Sequence, residues 1–143
     1  MNPAIEWTIS DLMDEVVGPE RSACQWPVRT AIEAGVRVCA SSDAPITEPD
    51  WRQGVAAMML RESRASGRTS GPEQRVTLAE ALRAYTATPA WQDFADDWKG
   101  TVEPGKVADL CVLDRPLLDL DPHGITDVQV DLTVFDATVI HER

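Results

Sequence analysis

Between residues 27 and 40 the chain changes period. PVRTAIEA places Val28, Ala31 and Ile32 on one side at spacings of three and four, which predicts a helix over 27–34. Pro27 suits a first turn, and Gly35 suits the left-handed position just past a helix end. Val36, Val38 and Ala40 then alternate with Arg37 and Cys39, predicting a short strand. Helix, glycine and strand in that order form half of a parallel α/β unit.

The same reading extends along the chain. Leu12, Met13, Val16 and Val17 line one face of a short helix ended by Gly18-Pro19. TEPD at 47–50 predicts a helix start, with Thr47 as cap, Pro49 in the first turn and Asp50 answering the cap. Trp51, Val55, Met58 and Met59 supply its apolar face, and the Met pair reads as core filling. Residues 64–75 are a polar Gly/Ser loop. TLAE at 77–80 is a capping box, followed by Leu78, Ala81, Leu82 and Tyr85 on one face. That helix is expected to end near Thr88-Pro89, with a second helical stretch through Trp91, Phe94 and Ala95.

After residue 100 the pattern becomes strand-like. Pro104-Gly105 fits the centre of a type II turn. VADLCVLD at 107–114 is nearly continuous apolar sequence, as in a strand covered on both faces. DVQVDLTV at 127–134 alternates strictly, with Val128, Val130, Leu132 and Val134 on one face. FDAT at 135–138 predicts a hairpin turn into a last strand. Two or three strands cannot close a sandwich, so their edges need partners.

Composition narrows the function classes. The 143 residues favour one compact domain, with 43% hydrophobic and 26% charged residues. The net charge of -11 argues against nucleic acid, whose phosphates would be repelled. Residues 1–90 hold 12 acids and 9 bases, and residues 91–143 hold 12 acids and 4 bases, so the second part is the acidic one. Scattered acids without calcium-loop spacing read as a solvated surface rather than a cation site. No apolar run is long enough to span a membrane, and the first residues do not read as a secretory signal. Cys24, Cys39 and Cys111 are odd in number and far apart, which fits a reducing, cytoplasmic setting without a disulfide framework. Cys39 and Cys111 read as small hydrophobes inside strands.

GVRVCASSDAP, residues 35–45, runs an apolar strand into Ser41, Ser42 and Asp43. Functional groups of parallel α/β folds sit at the C-terminal ends of strands. A carboxylate there serves as metal ligand, as base, or only as a turn former and cap, and spacing alone leaves all three open. Glu48 and Asp50 read as helix-cap groups, and His123 and His141 as ordinary surface residues.

GVRVCASSDAP resembles the last barrel strand of the metal-dependent amidohydrolase superfamily. GTVEPGKVADLCVLD at 100–114 resembles the return of such chains to their small β-sandwich, and ITDVQVDLTVFDATVIHER resembles their closing strands. PEQRVTLAEALRAYTATPA resembles the helix between the two parts. The ensemble over residues 18–143 is similar to amidohydrolase family 3, which includes N-substituted formamide deformylase-like enzymes. The resemblance implies an α/β fold in which residues 1–99 are the C-terminal part of a (β/α)8 barrel and residues 100–143 are part of a β-sandwich. It implies hydrolysis of non-peptide C–N bonds in a small amide substrate, with a divalent metal, zinc above all. Asp43 matches the aspartate that takes a proton from the activated water and passes it to the leaving amine, a suitable task for a carboxylate beside a metal. At most Asp43 would also touch the metal.

Departures accompany the resemblance. The His-x-His pair, the mid-barrel lysine or carboxylate and the two further histidines of those enzymes have no counterpart here. One carboxylate does not hold a catalytic zinc, which takes three protein ligands. Asp136-Ala137 stands where the family favours Asp-Gly in the final hairpin, so that turn is either of another type or mildly strained. The expected partners are a missing N-terminal portion or further copies of the chain. The alternative is a stand-alone, non-catalytic remnant that acts as an interaction module.

Overall fold

A computed structural model describes all residues, 1–143. Six helices precede a small sheet: α1 Pro3–Val17, α2 Pro19–Ala23, α3 Val28–Glu33, α4 Trp51–Leu60, α5 Leu78–Tyr85 and α6 Ala87–Gln92. Strands β1 Leu110–Leu113, β2 Val130–Phe135 and β3 Thr138–Glu142 form an antiparallel sheet in the order β1-β2-β3. Short 3-10 helices lie at Pro72–Gln74 and Pro122–Asp127. No helix is long and apolar enough to cross a membrane.

Helix α4 is the hub. Its Val55 and Met58 are fully buried and pack in one cluster with Val28, Val38, Ala81 and Ile125. The cap differs from the expected one. Asp50, not Thr47, is the N-cap, accepting from the Arg52 N–H at 3.0 Å. Thr47 instead donates its hydroxyl to the Ser42 carbonyl. Arg52 also reaches the Val128 carbonyl at 2.6 Å, tying the chain entering β2 to the first turn of α4. Gly54 is required by close packing: a Cβ there would meet the Tyr85 hydroxyl at 1.8 Å.

The capping box of α5 forms as the sequence predicts. Glu80 N–H donates to the Thr77 hydroxyl at 3.3 Å, and the Glu80 carboxylate accepts from the Thr77 N–H at 2.7 Å. The same carboxylate takes both arms of Arg29 at 2.7 Å each, which ties α3 to α5. These contacts, Arg29 first, pull the Glu80 pKa down to about 2.

Helix α1 forms where a short helix is expected and stops at Gly18, whose φ of 84° no L side chain adopts readily. Its orientation is not the expected one. Leu12 and Val16 face outward, while Glu6 and Ser10 are buried. Glu6 lies 3.9 Å from the buried Arg61, whose guanidinium also donates to the carbonyls of Ser70, Trp26 and Gln25. Burial pushes the Glu6 pKa up to about 7, against the pull of Arg61 and with a further push from Asp14.

The sheet corrects another expectation. Cys111 and Val112 of β1 are exposed, so this apolar run is uncovered within the chain. Val130, Leu132 and Val134 of β2 are half-buried, no more so than Asp131 and Thr133 between them. Asp136 and Ala137 close the β2–β3 hairpin at φ 46° and 60°, the left-handed pair that a type I′ turn demands. The strain sits at Ala137, which lacks the freedom of glycine.

Glu80→Gln is expected to destabilise the fold at neutral pH. The depressed carboxylate contributes stability above its unfolded pKa near 4.5, and that contribution is lost as pH falls through about 2. Urea titrations of both proteins should therefore converge in acid. Gly54→Ala is expected to cost about 1–3 kcal/mol by overpacking, and Tyr85→Leu in the same chain should recover part of it in the same titration.

Candidate functional site

The predicted strand at 36–40 is extended backbone without a neighbouring strand. Val38 and Ala40 turn into the core, whereas Val36, expected beside them, is 57% exposed. Its backbone bonds are few. Within the chain the N–H groups of Arg37, Val38 and Cys39 donate to nothing, and the carbonyls of Arg37, Val38, Ala40 and Ser41 accept nothing. Two contacts serve it: the Ala40 N–H donates to the Ala84 carbonyl of α5 at 2.9 Å, and in a clasp on the other edge the Met1 ammonium donates to the Cys39 carbonyl while the Ser41 N–H donates to the Met1 carbonyl at 2.9 Å. This bracketing of Ala40 by one residue is the bonding pattern of a parallel pair.

Asp43 follows directly, exposed and in the left-handed region at φ 58°. Aspartate tolerates that region better than most residues, so its backbone suits the turn. Its side chain does not serve the turn. The Ser42 hydroxyl accepts from the Ala44 N–H at 3.2 Å, the Asp43 carbonyl accepts from the Ile46 N–H at 2.8 Å, and Thr47 bonds Ser42. The carboxylate is left without a partner at the end of the extended segment, before the cis Ala44–Pro45 bond.

A second cluster was not legible in the sequence. His123 Nε2 lies 2.8 Å from a Glu62 oxygen, and Nδ1 lies 2.9 Å from an Asp121 oxygen. Asp121 also caps the 3-10 turn by accepting the His123 N–H at 2.9 Å. Two carboxylates acting as acceptors require both ring nitrogens to donate, which is the imidazolium form. The Glu62 bond first, then Asp121, raises the His123 pKa above its ordinary 6.5. The Asp121-Pro-His spacing was a visible cap signal, but Glu62 stands 61 residues away. The cluster borders a cavity of about 170 Å³ that also takes in Trp7, Gln53 and Arg64. Asp43 does not line it, so the structure does not join Asp43 and His123 in one cavity. His141 lies exposed on β3, paired in register with Thr133.

Nowhere do three His, Cys, Asp or Glu side chains converge. His123 spends both nitrogens on separate carboxylates, and Asp43 stands alone. A catalytic zinc takes three protein ligands, so these residues do not by themselves make such a site.

His123 should titrate above pH 6.5 when its ring protons are followed by NMR, and Glu62→Gln should move the midpoint down. The raised pKa means that the His123 contribution to stability is complete below about 6.5 and is lost as pH rises through the folded-state value. A midpoint unmoved in the variant would refute the pairing.

Comparison with known proteins places these features in a lineage. Residues 1–141 match the amidohydrolase family. The chain is 36% identical over 118 residues to N-substituted formamide deformylase of Arthrobacter pascens, covering 82% of this chain and 22% of that protein. It is 25% identical over 139 residues to YtcJ of Bacillus subtilis (strain 168), covering 96% of this chain and 25% of YtcJ. The chain thus spans about a quarter of the length of the curated relatives it matches. A crystal structure of an amidohydrolase from Thermotoga maritima MSB8 superposes with a TM-score of 0.61 at 22% identity, over 81% of this chain and 26% of that one, and shares its fold. With a family match over nearly every residue, the chain belongs to the amidohydrolase family.

Proposed function

We infer that this chain is the C-terminal share of a hydrolase acting on non-peptide C–N bonds, of the formamide or amide type. The observation that carries the reading is the Asp43 carboxylate, exposed and unpartnered at the end of an extended segment whose backbone is largely unpaired. In this reading residues 1–99 supply the last strand and outer helices of a (β/α)8 barrel, and residues 100–143 supply strands of a β-sandwich. Parallel strands beside 36–42 satisfy those of its N–H and C=O groups that the Met1 clasp and the Ala84 carbonyl leave free. The parallel-type clasp by Met1 supports one such neighbour.

Asp43 then handles one proton. As a water oxygen bonds to the carbonyl carbon of the substrate, the carboxylate takes the water proton. As the C–N bond breaks, it returns that proton to the departing nitrogen, leaving a carboxylic acid and an amine. Its lack of any internal bond keeps it available for both transfers. The divalent metal of such enzymes, zinc in the first instance, would need ligands beyond these residues, and nothing in this scheme depends on one bound here. The partners that complete the site are the remaining barrel portion, in the same chain or another, and the small amide. The setting is the cytoplasm, consistent with three free cysteines.

The second reading, a non-catalytic interaction module, draws on the uncovered sheet. Val112, Phe135, Val139 and Ile140 are each about half exposed or more. Both readings require something to cover these faces, and catalysis separates them.

The isolated chain should hydrolyse no N-formyl amine and retain no stoichiometric zinc by elemental analysis. One tightly held zinc per chain would sink the reading. Grafted in place of the matching C-terminal quarter of the formamide deformylase, the chain should support turnover. In that chimera Asp43→Asn should lower kcat by roughly 10²–10⁴, and an unchanged kcat would remove Asp43 from the chemistry.

A further inference from the structure

Thr47 reads in the sequence as the cap of α4, but Asp50 takes that role. The Thr47 hydroxyl is spent elsewhere: it donates to the Ser42 carbonyl, five residues back. That carbonyl belongs to the peptide leading into Asp43. The peptide leaving Asp43 is held as well. Its carbonyl accepts from the Ile46 N–H at 2.8 Å, and its Ala44 N–H donates to the Ser42 hydroxyl at 3.2 Å. Both peptide planes around Asp43 are therefore fixed, and with them its φ and ψ.

The conformation so fixed is one that Asp43 would not keep unaided. Its φ of 58° lies in the left-handed region, which residues other than glycine leave readily. A residue persists there when surrounding bonds over-determine it, and such residues cluster at functional sites. Two of the three ties are local, made by the neighbouring serine and by the turn backbone itself. Thr47 supplies the third with a side chain from beyond the turn. It is half-buried and stiff at its branched Cβ. It also stands three residues before the Asp50 cap, so it joins the turn to the start of the helix around which the core is built. The Asp43 carboxylate makes no hydrogen bond of its own, so only the backbone aims it. With φ and ψ held, the Cα–Cβ bond has one direction.

We propose that Thr47 is a positioning residue for Asp43: by holding the Ser42 carbonyl, its hydroxyl keeps the carboxylate in the orientation in which it takes and returns the proton. The proposal rests on the reading of Asp43 as the proton carrier of a hydrolase. Thr47 touches neither water nor substrate in it and acts through the backbone alone.

In the full chain, NMR should find Asp43 in the left-handed region, by the short distance between its amide and α protons. Thr47→Val removes the hydroxyl at nearly constant shape and should lengthen that distance, whereas Thr47→Ser should preserve it. In the graft onto the formamide deformylase, Thr47→Val should lower kcat roughly 10–100-fold with KM little changed. Thr47→Ser should retain most of the rate. Thr47→Val added to Asp43→Asn should lower kcat no further, because a group that acts through Asp43 then has nothing left to position. Three results would each overturn the proposal and leave the hydrolase reading standing: a proton distance unaltered in Thr47→Val, full turnover by that variant beside an impaired Asp43→Asn, or additive losses in the double variant. A graft without turnover, or unimpaired turnover by Asp43→Asn, would instead overturn the reading and the proposal with it.

Discussion

Each residue other than proline brings one backbone donor and one acceptor, and both need partners wherever water is excluded. Residues 36–42 leave most of theirs unused within the chain, although Val38 and Ala40 are packed into the core. An extended segment with one face buried and many ladder groups idle has the unused bonding capacity of a sheet strand. That constraint organises the rest of the molecule: the helices cover one side of the segment, and Asp43 is delivered at its far end.

The covering side is built around α4. Val55 and Met58 face the core, Arg52 fastens the start of β2, and Ile125 brings the 3-10 turn against the helix. Through these contacts the sheet is held to the helical part by one short connection as well as by the chain. The cluster of Glu62, His123 and Asp121 adds a charged fastening between the loop after α4 and that same turn. Beyond these ties the sheet is exposed, and so is the apolar stripe of α1. Two surfaces are therefore uncovered within the chain, one of backbone edges and apolar strand residues, the other the apolar stripe of α1.

The family relationship gives these surfaces a common setting. The relatives are about four times as long as the stretch they share with this chain. The chain spans about a quarter of its relatives' length, and within it β1 has an uncovered apolar run. Its apolar run predicts a strand covered on both faces, yet Cys111 and Val112 are exposed here. The pattern in the residues and the environment in the chain disagree at this strand.

Several local signals hold in the structure, although Asp50 replaces Thr47 as the cap of α4 and the helix expected to end near Thr88-Pro89 ends at Tyr85, with Thr88 and Pro89 inside α6. The Thr77–Glu80 box, the stop at Gly35, the apolar face of α4 and the β2–β3 hairpin depend on residues a few positions apart, so the sequence by itself determined them. The position of Asp43 after an extended segment was legible for the same reason. Tertiary structure decided what depends on distant groups: the inward turn of Glu6 toward Arg61 and the meeting of His123 with Glu62. Spacing along a chain reports which side chains share a face. Which face is buried depends on partners whose separation in sequence carries no period.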